Sequence, residues 1–480
     1  MKKLILGAAG LLAVLGLGAT AYAGPPASTL YLNRCAGGCQ LNGGADDAKA
    51  HSSSLAPVGT TTIPEFAWGD AQWAAVVKCV KEVYSPYNIA IVDVRPDANT
   101  VYNEQMIAGM GGDIGHPDAG GISPNEPCSI PDTNTITFTF ANGYTGGTAA
   151  TCDATPTNPG CVRQAYDICG VVGQESAHAF GLDHEFSYVA NTAPGTKCES
   201  TPFAVGCACN SPMTYLQRCG QQFFRGELAH CGEFASRACM CSDPQNAHLR
   251  LLGILGAGTP ITAPPAVSIT SPAPNGTLAK NQPVVALASA QRGVRHVELA
   301  INGYKWGDVD GVAFAPQGQP ESSYAIPVPA NVPDGVMDLA VTAKDDIGIA
   351  TTVTETVQKG AKCVDATTCL LGQKCDGRGA CLWDPPTGQA GDVCTYPQFC
   401  ITGLCNGLQG QDSVCTMPCV LTAADSCPTG DSCYESAPGQ GQCYPTVPDG
   451  GGCCSTGNGA VAQTSLLALA LVGLLRRRKR

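Results

Sequence analysis

The sequence predicts a multidomain exported protein. It has an α+β head, an all-β sandwich, a small disulfide-rich module and a single C-terminal transmembrane sorting helix. Three observations predict this. Cysteine is dense, at 28 of 480 residues, which points to an oxidising compartment. The cysteines are also sorted: fourteen lie in 24–258, none in 266–360, twelve in 361–448, and the last two are Cys453 and Cys454. Both ends, finally, carry apolar runs beside basic residues. The length allows about three domains.

At the N-terminus, Lys2 and Lys3 precede an apolar run from Leu4 to Leu17, and Ala21-Tyr22-Ala23 offers small residues for cleavage. This is the pattern of a signal peptide over 1–23, with a mature chain from Gly24. At the C-terminus, 459–475 is apolar and Arg476 to Arg480 are all basic. A span of that length is just enough for a transmembrane helix, with the basic end cytoplasmic. The net charge of −12 includes seven basic residues in these two ends and no acid, so the body between them carries about −19. An acidic body lacks the basic footprint of a nucleic-acid binder.

The head, 24–258, is the segment with chemistry. Asp70–Tyr84 carries Trp73, Val76, Val77, Val80 and Val83 on one face, with Asp70 as the expected N-cap. Asn88–Val94 predicts a buried strand, and the alternating Thr135–Phe140 a half-buried one. A second helix is predicted over Cys169–Gly181. On it Gln174 and His178 are four residues apart and share a face. Glu175 lies beside them, where a base reaches a metal-bound water. Gly181 permits a sharp turn that brings His184 back to the same point.

These residues resemble the metzincin zinc signature, H-E-x-x-H-x-x-G-x-x-H. Glu175, His178, Gly181 and His184 match, while Gln174 stands where the family has its first histidine. Ser211-Pro212-Met213-Thr214-Tyr215 resembles the family's Met-turn. The resemblance implies a zinc metallopeptidase-like head that cuts peptide bonds. In it Glu175 is general base, His178, His184 and Gln174 face the metal, Met213 lies beneath it and Tyr215 is near the substrate. An amide is a weaker zinc donor than imidazole. The sequence therefore leaves two readings open: an active peptidase with a degenerate motif, or a catalytically inactive head that binds peptide or acts in adhesion. His116, His230, Asp183 and Glu185 are further candidates to complete a metal shell.

A Thr/Pro-rich linker covers 259–265. In 266–360, strands are predicted at Ala266–Ile269, Val284–Leu287, Val297–Ile301, Ala325–Val328, Leu339–Ala343 and Ala350–Val357. The segment resembles bacterial Ig-like domains and is expected to be a spacer or weak adhesion module. The module 361–448 repeats short loops with a central glycine, such as Cys369–Cys375, Cys400–Cys405 and Cys427–Cys433, whose turns are expected to bring paired sulfurs together. Disulfides are expected there rather than zinc, since no histidine follows His296. Connectivity is not readable from spacing. The tail, 449–480, joins a Gly-Cys motif at Cys453 and Cys454 to the apolar stretch and the basic cluster. It resembles the MYXO-CTERM sorting tails of myxobacterial surface proteins. That implies sorting and export machinery as partners, a membrane helix removed on processing, and display at the cell surface or outer membrane, where substrate is met.

Overall fold

The protein is described here by a computed structural model covering residues 28–445, apart from residues 126, 129–130, 187–210, 216–219, 234, 312–320, 409, 422–425 and 438–439. The expected signal peptide, Cys453, Cys454 and residues 459–480 lie outside the described residues. The chain divides into two compact units. One runs from the head through the sandwich to Leu382, and the other holds Leu371–Gln373 and the chain from Trp383 onward.

The head is built on β1 (Thr29–Asn33), β2 (Cys39–Gly43), β3 (Ser52–Ser53), β4 (Gly59–Ile63), α1 (Gly69–Tyr84), β5 (Ala90–Val92), β6 (Asn103–Ile107), β7 (Gly121–Ile122) and β8 (Ile136–Thr139). Helices α2 (Ala149–Ala154), α3 (Pro159–His178) and α4 (Ala247–Leu255) follow. The main sheet has the order β5-β1-β6-β8-β7. Every pairing in it is parallel except β7 with β8. One face carries Leu30, Leu32 and Ile107 against Trp73, Val76 and Val80 of α1 and Ile168 and Val172 of α3. The other carries Tyr31, Met106 and Phe138 against Leu41 and Ile63 of the small sheet β3-β2-β4.

The α+β expectation for the head is thus corrected: the sheet is chiefly parallel and covered on both faces, as crossover connections require. Two strand readings change with it. Thr135–Phe140 is not half-buried, because β8 is buried at all four positions. Its threonines face the helices, where Thr137 Oγ1 donates to Gln105 Oε1 and Gln105 Nε2 donates to Thr139 Oγ1 at 3.0 Å. Asn88–Val94 is not buried, because β5 is an outer strand with part-exposed side chains. Asp70 lies in the first turn of α1 and pairs with Arg34 at 2.6 Å, while Trp68 holds the cap position.

The sandwich has two sheets, β13-β10-β9 and β12-β11-β14-β15. Its strands are β9 (Ala266–Ser271), β10 (Val284–Ser289), β11 (His296–Ile301), β12 (Tyr304–Asp310), β13 (Ser322–Ile326), β14 (Gly335–Lys344) and β15 (Ala350–Lys359). Five strands fall where expected, β13 overlaps the expected Ala325–Val328 only at Ala325 and Ile326, and β12 is additional. It pairs with β11 through Asn302 and Gly303, which take positive φ of 51° and 82°, as a two-residue hairpin turn demands.

Among the described residues, the disulfide-rich region pairs Cys363–Cys375 with Cys369–Cys381, Cys394–Cys405 with Cys400–Cys415, and Cys419–Cys433 with Cys427–Cys443. Each pair of bonds interlocks. The short loops expected to close on themselves contribute their two cysteines to different disulfides instead. Among the described residues no helix is long and apolar enough to cross a membrane, so the expected transmembrane helix is not supported there, and 459–475 itself lies outside them. The fold is a multidomain chain with an all-β Ig-like region and a disulfide-rich module.

Candidate functional site

Helix α3 begins ten residues before the expected Cys169. Asn158 caps it, its Oδ1 accepting from Gly160 N at 2.9 Å, and Pro159 occupies the first turn, where no amide proton is needed. The helix ends at His178 rather than Gly181. Gly181 takes φ +76°, and its N–H donates to His178 O at 2.7 Å. This left-handed residue doubles the chain back, and Leu182, Asp183 and His184 then return along the helix end.

The turn brings the two histidines together. His178 Nε2 and His184 Nε2 are 2.9 Å apart, and the rings meet edge to face at 4.5 Å. The opposite nitrogens fix the tautomers. His178 Nδ1 is 2.8 Å from Leu182 O, and a carbonyl only accepts. His184 Nδ1 is 2.9 Å from Glu233 Oε1. Burial alone would raise Glu233, but hydrogen bonds from Arg237 and His184 overcome it and hold the carboxyl at about 2. Both Nδ1 atoms therefore donate, and the two Nε2 lone pairs face each other. Such a pair needs a proton or a cation between its atoms. Burial, and then the charge of His184, hold His178 down at about 4, so a proton is disfavoured. The donor set fits a metal ion.

Glu175 is buried with no compensating charge, and desolvation pushes its carboxyl up to about 8. Gly121 of the outer strand β7 lies against it. A Cβ there would sit 2.7 Å from Glu175 Cγ and 2.6 Å from Val171 Cγ1, so only glycine permits this approach. Gln174, one turn before His178, is 6% exposed, and its Nε2 has no hydrogen-bond partner. Met213 is fully buried in the head core, and its carbonyl accepts from Glu185 N at 2.7 Å. Tyr215 lies over His184, with ring centroids 4.7 Å apart. The structure thus gathers His178, His184, Tyr215 and Glu233, and places Gln174 and Glu175 on the adjoining helix turn.

The other candidate ligands are engaged elsewhere. Asp183 is held by both terminal nitrogens of Arg237 at 2.6 and 2.7 Å. Glu185 accepts from Ser211 Oγ at 2.5 Å. His230 faces Asp243 at 3.1 Å, and His116 Nε2 lies 3.3 Å from Leu55 O. Asp183, His184 and Glu233 cluster tightly enough to suggest an ion of their own, but Arg237 bridges both carboxylates. Sequence reasoning missed Glu233 and Arg237, whose distance along the chain leaves no local spacing signal. It also missed a polar pocket of about 460 Å³ beside β7, lined by Asp118, Gly120, Tyr144, Arg163 and Asp167 among others. Tyr144 links pocket and site: burial, and then the charge of Glu175, push its hydroxyl up.

No curated protein matches the sequence. Similar solved structures include OgpA from Akkermansia muciniphila, at 9% identity over 72% of this chain and 96% of that one, with a TM-score of 0.18. Another OgpA structure contains an O-glycopeptide substrate. LPMO10B from Micromonospora aurantiaca shares 13% identity over 18% of this chain and 54% of that one, with a TM-score of 0.15. The fibronectin(III)-like modules of CbhA from Clostridium thermocellum share 21% identity over 21% of this chain and 47% of theirs, with a TM-score of 0.15. The chain spans about half the length of the latter two. These scores are below those of a shared overall fold. Residues 265–335 match the family described as a bacterial Ig domain. With the two-sheet sandwich of β9–β15 around them, they identify this region as a bacterial Ig domain.

Proposed function

We propose that the head is a hydrolase that cuts peptide bonds of substrates met outside the cell. The observation that carries the reading is the pair of Nε2 atoms at 2.9 Å with both Nδ1 atoms committed to acceptors, next to a buried carboxyl without a charge partner. His178 and His184 would hold a zinc ion, with the Gln174 amide as a weak third donor. Zinc, when bound, lowers the pKa of a coordinated water and polarises a carbonyl. Glu175 would take the proton from the attacking water and return it to the leaving amine. Glu233 and Leu182 O hold the imidazoles in their tautomers. Tyr215 closes one side of the site and β7 the other, and the polar pocket beside β7 receives a substrate side chain. Export rests on the signal-like 1–23 and surface sorting on Cys453 and Cys454, so the mature chain would begin at Gly24.

The test uses the full mature chain, loaded with zinc and offered a mixed peptide library. Wild type is expected to bind close to one zinc and to cleave. Glu175→Gln is expected to keep the zinc and lose cleavage by about 10²–10⁴-fold. Equal cleavage by the variant would remove Glu175 from the chemistry, and a metal-free wild type would remove the zinc. Gln174 favours a second reading, in which the head binds peptides without cutting them. That reading predicts peptide binding with no products from the wild type.

A further inference from the structure

Gly170 and Gly173 of α3 pack on the Met-turn and on the segment that follows it. A Cβ on Gly173 would lie 3.1 Å from Pro212 Cβ and 3.8 Å from Phe224 Cζ, and one on Gly170 would lie 2.4 Å from Gln222 Oε1. Phe224 meets Tyr84 edge to face at 5.2 Å. The Tyr84 hydroxyl is 2.6 Å from Ser176 Oγ. Ser176 stands between Glu175 and His178, so this contact reaches the turn that carries the site.

The same segment is clamped from the far side by the Ig domain. Arg292, in the loop between β10 and β11, is 1% exposed. Its Nε and Nη2 donate to the two oxygens of Asp346 at 2.8 and 2.9 Å, and Nη2 also donates to Phe224 O at 2.9 Å. Its guanidinium lies 4.7 Å over the Phe223 ring. Asp346, between β14 and β15, accepts from Gly226 N at 3.2 Å, and Arg225 Nη1 donates to Arg292 O at 2.6 Å. Beside them Gln291 Nε2 donates to Glu82 Oε2 at 2.8 Å and Gln221 Oε1 at 2.9 Å. Charges buried this far are tolerated only in fixed, hydrogen-bonded geometry. A tethered spacer needs none of this.

We propose that Arg292 and Asp346 of the Ig domain are positioning residues for the site helix. They fix Phe223–Gly226, and through Phe224 and Tyr84 they set Ser176 and the Glu175–His178 turn. The Ig domain is then part of the site's scaffold rather than a spacer. The cobalt measurement below rests on the metal reading given above, whereas the exchange measurement does not.

The experiment compares the full chain with Arg292→Met, Arg292→Lys and Ile326→Val. Ile326 is fully buried in the sandwich core and serves as a control for general weakening. Amide exchange of residues 172–178 is expected to speed up by about tenfold or more in Arg292→Met, with partial rescue in Arg292→Lys. The cobalt(II) absorption band of Arg292→Met is expected to shift or fade. Ile326→Val is expected to lower the melting midpoint and leave exchange in α3 and the band unchanged. Loosening confined to 221–226 and 291–295, or equal loosening of α3 by Ile326→Val, would overturn the proposal. If Arg292→Met does not fold, Phe224→Leu, which leaves the ion pair in place, carries the same expectation and the same refutation. If the wild type takes up no cobalt, the metal reading fails, and the exchange result still decides the positioning.

Discussion

His184 Nδ1 lies 2.9 Å from Glu233 Oε1, across 49 residues of sequence. Arg237 in turn donates to Glu233 at 2.8 Å and to Asp183 at 2.6 and 2.7 Å. The imidazole is therefore oriented by a carboxylate that is itself held. Outer partners of this kind contribute to metal affinity without touching the ion. Glu233→Ala is expected to weaken zinc binding by about 10–100-fold, read by competition with a chromophoric chelator. Unchanged affinity would show that His184 is not a ligand or is oriented by something else.

Gln174 is the departure from the histidine expected at its position. Its buried Nε2 makes no hydrogen bond, so replacing the amide loses no partner at that atom. Gln174→His is expected to tighten zinc binding by about tenfold or more, because imidazole is the better donor. The same chelator competition measures it. An affinity equal to wild type would mean that residue 174 does not face the ion.

Much of this site is legible in the sequence because a helix and a glycine turn are local. Gln174, Glu175, His178 and His184 fall within eleven residues, and the turn at Gly181 brings the two histidines together as that spacing suggests. Met213 and Tyr215 are legible only through the family resemblance. Glu233 and Arg237 are illegible because a loop side chain reaches its partner through tertiary folding. The sandwich is legible from alternation, as in β14, whose side chains are buried at every second position. The head's sheet class misleads for a physical reason. Thr137 and Thr139 alternate with Ile136 and Phe138 as on a solvated face, yet they are buried against α3 and satisfied in part by Gln105. The interlocked disulfides illustrate the same limit, since spacing suggests the shortest loop and the fold closes a longer one.

Cys79 of α1 is bonded to Cys169 of α3, which ties the site helix to its neighbour across a separation of 90 residues. Cys35–Cys39 closes a separation of only 4. If loop-closure entropy dominates, removing the first costs roughly 4–5 kcal/mol and the second about 2 kcal/mol. Paired Cys→Ala variants, unfolded in denaturant, are expected to separate in that order. Equal losses would show that native-state packing at these bonds, rather than chain entropy, sets their contribution.

Glu104 lies on the central strand β6, on the face of the sheet opposite α3, and is fully buried. Its Oε1 accepts from Asn33 Nδ2 at 2.7 Å, while Oε2 has no hydrogen-bond partner and faces His51 Nε2 at 3.7 Å. Desolvation pushes its carboxyl up to about 7, against weaker opposing effects from Asn33 and Arg95. The folded state therefore holds this proton more tightly than the unfolded chain does. Its contribution is fully present below pH about 4.5 and is lost as pH rises to about 7, a change of about 3 kcal/mol. His51 is held below its usual value by burial, and then by Arg95, so it contributes the opposite slope. Glu104→Gln keeps the burial of His51 and its Arg95 neighbour, so the difference between the two proteins reports Glu104 together with its contact to His51. Denaturant titrations from pH 4.5 to 8 are expected to show wild type losing about 3 kcal/mol relative to Glu104→Gln over that range. Parallel pH profiles would mean that Glu104 ionises as freely in the fold as in the open chain.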